Sequence, residues 1–78
     1  MAAIGFVLIT TDVGKEQKVF TKLEHVKGII ELYMTHGEYD LVVKIKADTP
    51  DNITSITNQK IRAIPDVISV KTLMGPEL

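Results

Sequence analysis

No cysteine occurs in this sequence, which excludes a disulfide framework and a thiolate metal site. Two histidines alone disfavour a structural zinc site. A charge of one sign is also lacking. The formal net charge is −1, and Lys and Arg are spread along the chain with no basic stripe of the kind that neutralises phosphates, so direct nucleic-acid binding is disfavoured. The longest apolar run, Ala2 to Ile9, is too short to span a bilayer and lacks the flanks of a signal peptide. These absences predict a cytoplasmic protein without a membrane segment. The five glycines are scattered, so no phosphate-cradling loop is present and no cofactor is implied. There is no G-x-S-x-G elbow and no histidine pair at ligand spacing. Nothing assembles a nucleophile, a base and an oxyanion donor, and no enzyme is expected.

What is present is one domain, residues 1–78, with 45% apolar residues, far too many for a disordered chain. A domain this small buries only about 60% of its unfolded surface. Small chains supplement such cores with disulfides, metals or oligomerisation. Oligomerisation is the means left here.

Ala2 to Ile9 is continuously apolar and partly β-branched, and Thr10-Thr11-Asp12 follows as a polar stop. This predicts a strand buried on both faces. Val19, Leu23 and Val26, with Phe20 beside them, mark one face of a helix from about Gly14 to His25, ended by Lys27-Gly28. Ile29 to His36 alternates, with Ile30, Leu32 and Met34 against Ile29, Glu31, Tyr33 and Thr35. After the turn signal His36-Gly37-Glu38, Tyr39, Leu41, Val43 and Ile45 alternate with Asp40, Val42, Lys44 and Lys46. Two such runs and a short glycine-containing turn read as a β-hairpin. Thr49-Pro50-Asp51 opens a second helix with an N-cap, a proline at the first position and an acidic first turn. Ile53, Ile56, Lys60, Ile61 and Ile64 carry the helical period until Pro65. Val67 to about Met74 is the last strand, and Gly75-Pro76 closes the chain.

The segment from Lys22 to Leu32 lines up with that from Lys60 to Val70, so each half reads strand, helix, strand. Two halves joined by a hairpin predict an α+β, ferredoxin-like βαββαβ fold: a four-stranded antiparallel sheet with two helices on one face. The other face would carry Ile4, Phe6 and Leu8 or Val7 and Ile9, with Val42. A second copy packed sheet on sheet is its simplest cover.

His36, beside Glu38 and Asp40, offers an acid/base group, although a polar residue entering a turn is the ordinary reading. His25 near a helix C-terminus is explained by the dipole. Glu31, Glu38 and Asp40 supply the oxygen ligands a hard cation takes, against the ordinary reading of solvated carboxylates.

The stretch His36-Gly37-Glu38-Tyr39-Asp40-Leu41-Val42-Val43-Lys44-Ile45 resembles the glycine-x-tyrosine-aspartate hairpin in the effector domain of Lrp/AsnC transcriptional regulators. That domain is called RAM, for regulation of amino-acid metabolism. Phe6 to Thr10 followed by Gly14-Lys15-Glu16, the helix end Lys60 to Pro65, and the closing Lys71-Thr72 are similar to it as well. The resemblance covers nearly the whole chain in order. The family's N-terminal helix-turn-helix has no counterpart, so the expectation is a stand-alone RAM module. Met74 stands where many relatives carry a second small hydroxyl residue.

The resemblance implies sheet-to-sheet dimers, rings of four dimers, and a free amino acid bound between dimers. Carried over by position, the ligand-binding residues are Gly37, Glu38, Tyr39, Asp40 and Thr72, with His36 and Met74 as neighbours. Gly37 would bring a backbone amide to a carboxylate, Asp40 would accept from an α-ammonium, and Thr72 would offer a hydroxyl. Met74 and Tyr39 would shape a side-chain pocket, although Tyr39 shares a face with Leu41, Val43 and Ile45, which places its ring in the core. Asp40 has a structural alternative, bonding backbone amides of its turn. A full-length Lrp/AsnC regulator is the implied protein partner. The competing readings are a dimeric α+β barrel enzyme using His36, a ligand-free assembly domain, and an ACT-type amino-acid sensor.

Overall fold

The computed structural model describes residues 2–76; the outermost residues of the expected 1–78 domain lie outside it. The elements run β1 (Ala3–Thr11), α1 (Glu16–Leu23), β2 (Ile29–Met34), β3 (Leu41–Ala47), α2 (Pro50–Ile56) and β4 (Val67–Pro76), and α2 passes directly into a π-helical turn, Thr57–Ile61. The strands pair antiparallel in the order β2-β3-β1-β4. This is the expected ferredoxin-like α+β architecture.

Period-two alternation decides which residues face the helices. Val7 and Ile9 of β1 and Leu41, Val43 and Ile45 of β3 are fully buried, as are Val19 and Leu23 of α1 and Ile53 and Ile61 on the second helical segment. These residues form one core cluster with Ala3 and Ile64, flanked by Val26 and Phe20. Gly5 sits where the second helix crosses β1. A Cβ there would stand 2.7 Å from Ile53 Cγ2, so only glycine allows this approach.

Several expectations are corrected. The polar Thr10 and Thr11 do not stop β1: they pair with Ser69 and Val67 of β4. β4 likewise runs on through Gly75 to Pro76. Helix α1 starts at Glu16, because Gly14 takes a φ of 80°. The alternation assigned to β2 holds for only part of it. A bulge at Ile30 shifts the register, so that Ile29 faces Ile45 and Leu32 faces Val43, while Glu31 faces Lys44 and Tyr33 faces Val42. Opposed residues share a face, so Ile29 belongs with Leu32 on the helix side and not with Glu31 and Tyr33. The hairpin connection spans residues 35–40 rather than three residues, and β3 begins at Leu41. Thr49 caps α2 as expected, its hydroxyl accepting from Asn52 N–H at 3.2 Å. The helical period then breaks. Arg62 N–H reaches Thr57 O at 2.9 Å, five residues back, which keeps Thr57 and Ile61 buried and leaves Lys60 exposed.

The sheet face away from the helices is open. Phe6 on this face pairs with Lys44 on one side and Leu73 on the other, and Phe6 and Leu73 are 41% and 53% exposed. β1 is therefore buried on one face in a single protomer, not on both. Lys44 lies 5.7 Å above the centroid of the Phe6 ring and 3.3 Å from Glu31 Oε2. Tyr33 donates its hydroxyl to Glu31 Oε1. The phenol, reinforced by the Lys44 ammonium, holds the Glu31 carboxyl below its ordinary value of 4.5. The same carboxylate pushes the Tyr33 phenol up.

Two measurements check this packing. Gly5→Ala overpacks the contact with Ile53 and should cost about 1–3 kcal/mol in urea unfolding, with the slope unchanged; a wild-type midpoint refutes the contact. Glu31 should titrate below 4.5 by carboxyl-carbon NMR. Because its pKa is lowered by folding, the Glu31 contribution to stability is present above the unfolded value and lost as pH falls through the folded one. Tyr33→Phe should move the titration back up.

Candidate functional site

The hairpin connection, residues 35–40, is closed at its base by backbone and side-chain bonds. Thr35 N–H donates to Asp40 O at 2.9 Å, and Thr35 Oγ1 donates to Tyr39 O at 2.7 Å. Gly37 takes a φ of 120° with no atom within 4 Å of where a Cβ would lie. Its backbone conformation, not crowding, requires glycine.

Asp40 ties this loop to the centre of the sheet. Its N–H donates to Ile9 O at 2.9 Å. Its Oδ2 accepts from Thr11 N–H at 2.8 Å and lies 3.4 Å from Thr11 Oγ1. The carboxylate thus has a structural role, but not the expected one: the amide it holds belongs to β1 and not to its own turn. Oδ1 takes no hydrogen bond from the described residues, so one side of the carboxylate stays open.

Beside it lies a concavity of about 300 Å³ lined by Glu16, Met34, Thr35, His36 and Asp40. It forms because β1 delivers the chain into α1 next to the start of β3. Glu16, in the first turn of α1, accepts from Gly14 N–H at 3.3 Å and faces the hairpin. Two carboxylates, an imidazole, a hydroxyl and a thioether surround the space, with no lysine or arginine. Such a lining accepts an ammonium group on the carboxylates and an apolar chain on the methionine. A ligand carboxylate would have to be met by backbone amides of the loop.

The structure brings together only part of the carried-over set. His36 and Asp40 line the concavity. Gly37 and Glu38 are exposed at the tip, and Tyr39 is half-buried ahead of β3 rather than in the core. Thr72 lies opposite Val7, and Met74 opposite Gly5. Val7 is four positions along β1 from Thr11, about 13 Å by strand rise, and β4 is the far edge of the sheet from the hairpin. Met74 lines a different hollow, with Phe6, Leu73 and Pro76. One protomer thus does not unite the two groups. The carboxylate trio of Glu31, Glu38 and Asp40 is not assembled either: Glu31 is engaged with Tyr33 and Lys44 on the open face. No cluster of three His, Asp or Glu suited to a metal occurs among the described residues.

Glu16, Met34 and Thr35 were not among the expected ligand-binding residues, although Glu16 belongs to a segment similar to the family. For Met34 and Thr35 the signal was the strand order, which sets the start of α1 against the hairpin.

The profile of the Lrp/AsnC ligand binding domain matches residues 4–74. The HTH-type transcriptional regulator FL11 of Pyrococcus abyssi is 34% identical over 71 residues, which are 91% of this chain and 46% of that protein. The chain thus spans about half the length of the curated relatives it matches. The crystal structure of the hypothetical protein PHS023 from Pyrococcus horikoshii superposes with a TM-score of 0.88 at 33% identity, covering 97% of this chain and 92% of that one. A transcriptional regulator from Neisseria meningitidis, solved as an L-Met complex, shares the fold at a TM-score of 0.82 and 8% identity over 96% of this chain and 50% of that one.

Asp40→Ala leaves the partly buried Thr11 amide without its acceptor and should cost roughly 1–3 kcal/mol in chemical denaturation. Asp40→Asn, which keeps an oxygen there, should cost less. Equal loss in both variants would assign the effect to charge instead of the hydrogen bond.

Proposed function

The chain belongs to the Lrp/AsnC ligand-binding domain family, and from that premise we propose that it is a non-enzymatic module of the cytoplasm that binds a free amino acid between protomers. Ligand binding would shift its assembly, and the module would act on transcription by assembling with Lrp/AsnC-type regulators. One observation carries this reading: the carried-over site residues lie in two groups that a single protomer holds apart. His36 and Asp40 sit at the hairpin, and Thr72 and Met74 on the opposite edge. Contact between the hairpin end of one dimer and the β4 edge of another would complete the site, and a ring of four dimers supplies such contacts in closed form.

The dimer itself rests on the open face. Burying a large apolar side chain contributes about 1.5–3 kcal/mol. Phe6 and Leu73, with the half-buried Ile4 and Leu8, offer several such groups to a second sheet. The L-Met complex of the Neisseria regulator supports an amino acid as the ligand class. The His36 ring makes no hydrogen bond with the described residues that would orient it as an acid or a base.

Native mass spectrometry of the purified chain with each of the twenty amino acids tests the proposal. A dimer or a multiple of it is expected, with one or two amino acids changing the assembly or raising the melting temperature by linkage. Leu73→Asp should release monomers that remain folded by circular dichroism. A wild-type monomer would sink the assembly reading, and an oligomer indifferent to every amino acid would sink the ligand.

A further inference from the structure

A second cleft, of about 430 Å³, lies at the other end of β3, where Ala47 and Asp48 lead into α2. Lys27, from the connection after α1, forms one wall. Asn52, Ser55, Ile56 and Lys60 form the other. None of these residues lines the hairpin concavity. Asn52, Ile56 and Lys60 follow at intervals of four and so share one flank of the second helical segment. The sequence had placed Lys60 on the buried stripe. The π turn from Thr57 to Ile61 is wider than an α turn. It gives the core position to Ile61 and leaves Lys60 over the cleft.

Among the described residues, the polar side chains here have no partners. Lys27, Lys60, Asn52, Ser55 and Asp48 make no side-chain hydrogen bond or ion pair with another described residue. They come from three separate elements and converge on one concave surface with an apolar patch at Ile56. Two ammonium groups, a hydroxyl and an amide face a single carboxylate. The volume falls within the about 300–1,000 Å³ typical of small-molecule sites.

We propose that this cleft is a second ligand site, separate from the hairpin, for a dicarboxylic zwitterion whose two carboxylates meet Lys27 and Lys60 and whose ammonium meets Asp48. Charge-assisted hydrogen bonds supply the selectivity. Ser55 and Asn52 donate to the same carboxylate oxygens.

Amide NMR titration of the full chain tests this with L-glutamate as the probe. Saturable shifts are expected at Gly28, Asp48 and Ser55. Glutarate, which lacks the ammonium, and L-glutamine, which lacks one carboxylate, should each bind about tenfold more weakly, the equivalent of one charge-assisted bond. Lys60→Met and Lys27→Met should each weaken L-glutamate by a similar factor. Asp48→Asn should erase the preference for L-glutamate over glutarate. Both lysines are exposed, so these variants should fold as the wild type does. Shifts confined to residues 36–40 would place the ligand in the hairpin concavity and overturn the second site. Unchanged affinity in both lysine variants would overturn it too, and inorganic phosphate binding more tightly than L-glutamate would overturn the assigned ligand class.

Discussion

The helices cover only one face of the sheet, while β1, an inner strand, carries apolar side chains on both. That mismatch governs the molecule. On the helix side, Val7 and Ile9 lie under Val19, Leu23, Ile53 and Ile61 with no exposure. On the other side, Phe6 is flanked by Leu73 and by Lys44. Two short helical segments over a four-stranded sheet cannot cover both faces. A chain of 78 residues that places an aromatic and a leucine side by side on a bare sheet has a surface suited to another sheet. The Lys44–Glu31–Tyr33 group beside Phe6 gives that surface a polar, directional rim. A second sheet laid over this group would have to bear the cost of desolvating the Lys44–Glu31 pair, whereas contact at Phe6 and Leu73 carries none.

Asp40 both ties the hairpin to β1 and lines the concavity beside it. A carboxylate offers about four lone-pair positions, and Thr11 occupies one oxygen with its amide, its hydroxyl lying close by. Holding β1 to the hairpin therefore does not use up the group. The arrangement makes the loop rigid on one side of the carboxylate and leaves the other side facing the concavity with Glu16 and His36. A group fixed in this way loses little side-chain entropy on meeting a ligand, which favours binding over a freely rotating surface aspartate.

Element type and order were legible because the apolar periods are clean. Val19 and Leu23 announced α1, and Leu41, Val43 and Ile45 announced β3, since in each the buried set follows the backbone period. What was not legible came from long-range pairing. Nothing local in Ile29-Ile30-Glu31 signals a bulge; it follows from bringing Glu31 opposite Lys44 and Leu32 opposite Val43. Thr10 and Thr11 read as a stop because their polarity is local, whereas the ladder to β4 and the Asp40 carboxylate that hold them are distant in sequence. The π turn was hidden for a similar reason: Ile56, Lys60, Ile61 and Ile64 satisfy an α period about as well as a broken one. Of the concavity's lining, His36 and Asp40 were legible from the hairpin motif. Glu16 and Met34 were not, because a concavity is defined by the packing of α1 against the hairpin and not by spacing along the chain.

The near-zero net charge conceals opposite ends. The hairpin concavity carries Glu16 and Asp40 and no lysine or arginine. The cleft at the other end of β3 carries Lys27 and Lys60 against Asp48 alone. β3 separates the two ends by its full length of seven residues, about 20 Å, which exceeds the screening length at physiological ionic strength. Each end therefore presents its own potential to solvent, and a ligand or a neighbouring protomer meets a local charge that the total of −1 does not describe.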